Sequence, residues 1–159
     1  MRLPMRIISG GQTGADRAAL DAAAALGLPT GGTAPSGYWT ESGPDPTLRE
    51  LGLVAQGTVE FRTERNVLEA DATVIFATRG DSPGSALTLA MARRRGKPVV
   101  VIDPWMPDAG DRLADFLRHH APASLNVAGH RESQAPGIYQ RVLDVMTRVL
   151  AEPRLARGG

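Results

Sequence analysis

The sequence predicts an α/β fold of three layers, a mostly parallel central sheet flanked by helices, and three observations carry that prediction. Short apolar runs alternate along the chain with longer stretches of helical periodicity. Glycine-rich turns follow the apolar runs and open the helical ones, as strand, loop and helix units require. At 159 residues the chain can bury one substantial core and is too short for two comfortable domains. We therefore expect a single domain over 1–152 and a frayed tail over 153–159, after Pro153.

Met5-Arg6-Ile7-Ile8 reads as the first strand. It ends on Ser9-Gly10-Gly11-Gln12-Thr13-Gly14, and Asp16 to Leu26 follows as a helix that Gly27 stops. Its inward positions are mostly alanine, with Ala18, Ala19, Ala22 and Ala23 among them, so its backbone can approach the sheet and aim its N-terminus at the loop. From Gly27 to about Gly57 the chain is rich in Gly, Pro, Ser and Thr. That stretch reads as an irregular functional segment, interrupted by Tyr38-Trp39 and a helical turn around Leu48-Arg49-Glu50-Leu51. Thr63 to Ala70 reads as a helix, Ala72 to Phe76 as a buried strand, and Gly84 to Arg95 as a helix closed by Gly96 and Pro98. Val99-Val100-Val101-Ile102, wholly apolar and β-branched, is the clearest candidate for a central strand. Asp111 to His120 carries Leu113, Phe116 and Leu117 on one helical face, and Ser124 to Val127 reads as a last strand. Ile138, Val142, Val145, Met146 and Val149 mark an amphipathic C-terminal helix. Right-handed crossovers would gather the loops after the strands on one sheet edge, where ligands of parallel sheets bind.

Charge and composition exclude several partners. Lys and Arg number 18 against 17 Asp and Glu, too even a balance to draw nucleic acid or an anionic membrane. No apolar run is long enough to span a bilayer, and nothing near the start reads as a secretory signal. The chain has no cysteine, which excludes a disulfide framework, thiolate zinc and a cysteine nucleophile, and agrees with a cytoplasmic setting. Adjacent His119 and His120 face different ways on a helix. His130-Arg131-Glu132 imitates the H-x-E of zinc deaminases without the cysteines that complete it. No protein-ligated zinc is expected.

The first glycine-rich loop suits a phosphate, because glycines admit close approach and the free N–H groups of a helix start point outward at the positive dipole end. It is not a P-loop, since Ala15 follows Gly14, nor a dinucleotide fingerprint, since Ser9 stands at the first glycine place. The alternative is a tight turn closed by a capping-box-like pair of Thr13 and Asp16. The Asp16 carboxylate can itself take a ribose hydroxyl, a cation or the helix N–H groups. A second loop, Arg79 to Ser85, also follows a buried strand and starts a helix, so two helix N-termini could converge on one ligand; a plain connection is the alternative. Arg65 and Asn66 could clamp phosphate and read a base or ribose, or simply face solvent. Asp103 closes the Val99–Ile102 run.

The stretch Ile8-Ser9-Gly10-Gly11-Gln12-Thr13-Gly14-Ala15-Asp16-Arg17-Ala18-Ala19-Leu20-Asp21 resembles the opening motif of the family named for molybdenum carriers, the circularly permuted YpsA-like branch of the SLOG superfamily. The likeness continues in order through Pro29 to Gly32, Arg62 to Val67, Asp71 to Ile75, Gly96-Lys97-Pro98, Leu125 to Gly129 and Arg131-Glu132-Ser133. The resemblance implies a Rossmann-like nucleotide-binding fold, commonly homo-oligomeric. Relatives include proteins thought to bind or sense nucleotides, and the LOG phosphoribohydrolases that split nucleotide N-glycosidic bonds. The implied ligand is a nucleotide or a molybdenum-cofactor-like phosphorylated compound. Read together with the loops, its contacts would be Gly10, Gly11, Gln12, Thr13, Gly14, Asp16, Arg17, Gly31, Gly32, Arg65, Asn66, Gly84, Ser85, Asp103 and Asn126. The chain departs from the family pattern over Thr33 to Gly43, and Ala90 stands where relatives often carry glutamate, so the phosphoribohydrolase motif is not met. If there is turnover, Asp16 or Glu41 would have to supply the carboxylate such chemistry needs. Binding and catalysis both stay open at this point.

Overall fold

A computed structural model describes residues 3–78 and 83–157. Arg79, Gly80, Asp81 and Ser82 of the second candidate loop lie outside the described residues. The elements run β1 Arg6–Ile8, α1 Ala15–Ala25, β2 Thr30–Ala34, β3 Trp39–Thr40, β4 Gly43–Pro44, α2 Thr47–Glu50 and β5 Leu53–Ala55. They continue as α3 Val59–Glu69, β6 Ala72–Phe76, α4 Pro83–Arg94, β7 Val99–Ile102, α5 Ala109–His120, β8 Ser124–Gly129 and α6 Ile138–Leu150.

Six strands form one parallel sheet in the order β5-β2-β1-β8-β6-β7, and β3 pairs with β4 in a separate antiparallel hairpin. Side chains alternate across the sheet. Ala72, Val74, Phe76, Leu125 and Val127 join α1, α5 and α6 in the main core. Thr73, Ile75, Asn126 and Ala128 therefore turn to the other face, which α3 and α4 cover. This is the three-layer α/β arrangement. The links that step towards β5 pass over the first face through α1 and α5, and those that step towards β7 pass over the second through α3 and α4. The crossovers through these four helices thus share one hand, as twisted parallel sheets demand. No helix among the described residues is long and apolar enough to cross a membrane.

Four sequence expectations change. The irregular stretch after Gly27 contains two strands of the main sheet, β2 and β5. β2 reads Thr-Gly-Gly-Thr-Ala and lacks an apolar signature because its backbone is closely approached. A Cβ on Gly31 would stand 2.2 Å from the Arg6 guanidinium, and one on Gly32 would stand 2.2 Å from the Ser9 carbonyl oxygen. Second, β7 is an outer strand with Val101 38% exposed; its apolar run reflects cover by α4 and α5, and β8 takes the central place between β1 and β6. Third, the helix read from Thr63 begins a turn earlier, at Val59, where the Thr58 hydroxyl accepts from the Phe61 N–H at 3.1 Å, so Arg65 stands inside α3 and not near its start. Fourth, the described part of the tail is docked. Leu155 joins the core, the Ala156 carbonyl accepts from the Met5 N–H at 2.8 Å, and Pro4 bridges to Arg157.

Asn66 fixes α3 to β2. Its Oδ1 accepts from the Thr33 N–H at 2.8 Å and its Nδ2 donates to the Thr33 carbonyl at 3.0 Å, so the side chain bonds β2 much as a neighbouring strand would. Asn66→Ala leaves a buried donor and acceptor unpaired and is expected to cost about 2 kcal/mol in urea unfolding. A loss near zero would mean that solvent reaches this pair.

Candidate functional site

The first loop spends its own amides. The Gly11 N–H donates to Ser9 Oγ at 3.2 Å, the Gln12 N–H to Asp16 Oδ2 at 3.2 Å, and the Thr13 N–H to Gln12 Oε1 at 3.0 Å. The Ala15 N–H donates to the His130 carbonyl at 3.2 Å. The expectation of free, outward-facing amides at the start of α1 does not hold for these groups. Asp16 supplies the negative charge that the helix end favours. Nor do Thr13 and Asp16 form a capping pair: α1 has Gly14 at its N-cap with no side-chain bond, and the Thr13 hydroxyl donates to Glu41. Gly14 is required there, because a Cβ would stand 2.5 Å from the His130 carbonyl oxygen.

Asp16 is 3% exposed. Burial pushes its carboxyl up from 3.8 to about 6, against the Arg62 charge and the N–H groups of Gln12 and Gly10, which pull it down. Arg62 Nη1 lies 3.7 Å from Asp16 Oδ2. The guanidinium rests on Gly10, where any Cβ would collide with it, and its Nε is buried without a hydrogen-bond partner.

Glu41 is a tie. Its carboxylate accepts from the hydroxyls of Thr13 and Ser133 and, at 3.2 Å, from the Ser133 N–H. Its own N–H donates to Gln12 Oε1 at 2.9 Å. Burial works to raise its carboxyl, but the bonds from Ser133 and Thr13, with the Arg131 charge, hold it below the ordinary value. The β3–β4 hairpin is thereby fastened to the first loop and to the β8–α6 loop, and the carboxylate is left poorly placed to serve as a base.

These pieces wall a cleft of about 180 Å³ at the carboxyl edge of the sheet, on the α3 and α4 side; Asp16, Arg62, Thr88, Gly129, Arg131 and Trp39 line it, with Gln12, Glu41, Thr63 and Gly84. Glu41 also borders a wider, open hollow of about 670 Å³ beside Thr13, Gly14, Arg17 and Tyr139. Size favours the hollow and chemistry favours the cleft. Arg17 in the hollow is already committed, at 2.9 Å to Asp21 and 2.7 Å to Asp45, whereas Arg62 in the cleft meets its carboxylate only at 3.7 Å.

Of the contacts nominated from the sequence, Gln12, Asp16 and Gly84 line the cleft, while Thr13, Gly14 and Arg17 turn to the hollow. Gly10 and Gly11 are buried within the loop, and Gly31 and Gly32 within β2. Asn66 is spent on Thr33, and Arg65 stands exposed outside the cleft. Ser85 lines a separate groove with Leu89 and Val101. Asp103 accepts from the Trp105 N–H at 2.9 Å. Asn126 is buried, with its Nδ2 3.4 Å from Thr73 Oγ1 and its Oδ1 unpartnered. Arg62, Thr88, Arg131 and Trp39 were not nominated. For Arg62 a signal existed, since Thr58 as cap places residue 62 at the exposed start of α3. Among the described residues no three His, Cys, Asp or Glu side chains are grouped to hold a metal ion.

The circularly permutated YpsA SLOG family matches residues 7–150, from β1 to the end of α6. The chain belongs to that family. A solved structure from Syntrophus aciditrophicus SB, named "Putative molybdenum carrier protein", is 38% identical with a TM-score of 0.86, over 94% of this chain and 96% of that one. No curated protein matches. The SLOG resemblance of the sequence and its Rossmann-like fold are thus shown, and membership supports a ligand-binding role.

Proposed function

We propose that the protein binds a nucleotide or a related phosphorylated ligand, the phosphorylated pterin of a molybdenum cofactor included, in the cleft beside Asp16 and Arg62. The observation that carries this reading is the Arg62 guanidinium in the cleft wall, which stands 3.7 Å from Asp16 and whose buried Nε has no hydrogen-bond partner, so its charge is only partly matched within the chain. Arg131 adds a second guanidinium, and the first turns of α3 and α4 both reach the cleft through Val59, Arg62 and Gly84. Helix starts attract anions. The phosphate grip therefore passes from the α1 amides to Arg62 and these two helix ends, and Asp16 is left to accept a hydroxyl such as that of ribose. The name carried by the solved relative, that of a molybdenum carrier, agrees with a molybdenum-cofactor-related ligand.

Arg62→Met is expected to weaken phosphorylated ligands by about 10- to 100-fold, the loss of charge-assisted hydrogen bonding, as measured by calorimetry. Unchanged affinity, or no thermal stabilisation of the wild type by any phosphorylated compound, would overturn the reading.

One observation favours a second reading, a nucleotide N-glycosidase. A carboxyl poised at about 6 in a cleft is suited to general acid–base work, and Glu41 is too fully engaged to compete for the role. Incubation with nucleoside monophosphates, NAD and ADP-ribose separates the two. Release of free base that Asp16→Ala abolishes supports the enzyme, and saturable binding without release supports the carrier or sensor.

The proposal extends to a homo-oligomer in a cytoplasmic setting. Among the described residues no strand pairs with the outer edge of β7 beside Val101, which offers a surface for self-association. Sedimentation of the wild type as a monomer at micromolar concentration would remove that part.

A further inference from the structure

We infer that Trp39 is the platform on which a planar heteroaromatic ring of the ligand stacks, so that the cleft selects phosphorylated compounds bearing such a ring over simple sugar phosphates. This rests on the reading above, in which Arg62 takes the anionic end.

Size makes the first argument. The cleft, at about 180 Å³, falls below the roughly 300–1,000 Å³ that encloses a drug-sized ligand. It can hold a phosphate with part of a sugar, and whatever is attached must lie at the mouth. The largest side chain offered there is Trp39, 56% exposed, and an indole face is the surface that best matches a flat ring.

Rigidity makes the second. Trp39 belongs to β3, paired with Pro44 of β4. The Thr40 hydroxyl donates to the Gly43 carbonyl at 2.7 Å, and the Asp45 N–H donates to the Tyr38 carbonyl at 2.8 Å. Glu41, two residues on from Trp39, is fastened to Thr13 and Ser133. The indole thus sits on a mount fixed to the cleft floor, and holding it there needs little further ordering when a ligand arrives.

The polar inventory makes the third. The two amides of the cleft able in principle to read a base edge have their oxygens committed, Gln12 Oε1 to the N–H groups of Thr13 and Glu41 and Gln134 Oε1 to the Arg131 N–H at 3.3 Å. Val59 and Leu87, the other large apolar linings, contribute contact without direction. Recognition of the ring falls to its face, which tolerates different rings.

The test compares AMP with ribose 5-phosphate on the full chain by calorimetry. The wild type is expected to prefer AMP by about tenfold or more, the ordinary worth of aromatic stacking. Trp39→Ala should erase that preference and leave ribose 5-phosphate affinity unchanged, and Trp39→Phe should retain most of it. The chain has two tryptophans, so in a Trp105→Phe background Trp39 reports alone. Its fluorescence should respond to AMP and stay unmoved by ribose 5-phosphate. Equal binding of the two compounds by the wild type, or a Trp39→Ala variant that weakens both alike, overturns the inference while leaving the phosphate reading intact. If neither compound binds the wild type, the inference falls, and the phosphate reading falls with it only when no other phosphorylated compound stabilises the protein either.

Discussion

Between about pH 4 and pH 7 the wild-type chain is expected to lose about 2 kcal/mol of stability relative to its Asp16→Asn variant. The cause is the buried carboxyl, whose pKa rises from 3.8 to about 6 on folding. With its pKa raised, the folded state holds the proton more tightly than the unfolded chain does. The resulting stability is complete below the unfolded value and is lost as the pH climbs through the folded one. Above that point a carboxylate stands in a site 3% exposed, and Arg62 and two N–H groups compensate it only in part. An asparagine keeps an acceptor for the Gln12 N–H and cannot titrate. Its different hydrogen bonding shifts the whole curve and not the slope, so urea unfolding over a pH series isolates the charge. Glu41→Gln is the internal control of opposite sign: the Glu41 carboxyl is held below its ordinary value, so the stability it adds is present near neutrality and lost on acidification. Parallel curves for the wild type and Asp16→Asn would show that Asp16 carries no strained charge, and would remove the basis of the acid–base reading. A site that withholds stability in this way is one that a ligand able to donate to the carboxylate can relieve.

How far the sequence discloses this arrangement depends on the kind of interaction. β6 and α6 are legible because a five-residue run that is apolar but for Thr73 and a helical apolar stripe each mark their own element. β2 is not, because its glycines answer to β1 and Arg6 across the sheet, and a demand made by neighbours leaves no periodic trace. β7 reads as a strand from its valines, but helices on both faces give the same composition at an edge as at the centre. The glycine-rich loop is legible as a place, since its spacing sets backbone shape. The use of its amides is not, because that depends on where the Asp16 side chain folds back and on a carbonyl supplied by distant His130. The helix start that brings Arg62 into the cleft is marked only by the Thr58 cap, because Val59 and Phe61 in the first turn are exposed and do not continue the buried stripe of α3.

Gly32→Ala should be among the most damaging single-methyl additions the fold can receive, with an expected loss of about 3–5 kcal/mol. Gly32 has φ +125, a conformation L side chains rarely adopt, and an added Cβ would stand 2.2 Å from the Ser9 carbonyl oxygen, 2.9 Å from the Ser9 nitrogen and 3.2 Å from Asn66 Oδ1. Backbone strain contributes about 1–3 kcal/mol and overpacking a similar amount. Relief is hard to find, because Ser9 is main chain at the end of β1 and Asn66 is held by Thr33 on both its polar ends. Gly27→Ala provides the contrast: it also has positive φ, at +73, but nothing lies within 4 Å of its Cβ position, so only the conformational cost of about 1–2 kcal/mol applies. The difference between the two variants in urea unfolding measures the close approach itself. Any relaxation of Gly32→Ala must push on Ser9, whose hydroxyl accepts from the Gly11 N–H and donates to the Asp16 carbonyl. The displacement then reaches the loop that seats Asp16, so a Gly32→Ala protein that still folds should bind phosphorylated ligands more weakly although residue 32 does not line the cleft. A Gly32→Ala chain as stable as Gly27→Ala would mean that β1 and β2 stand further apart than described, and the positioning of Asp16 would need another cause.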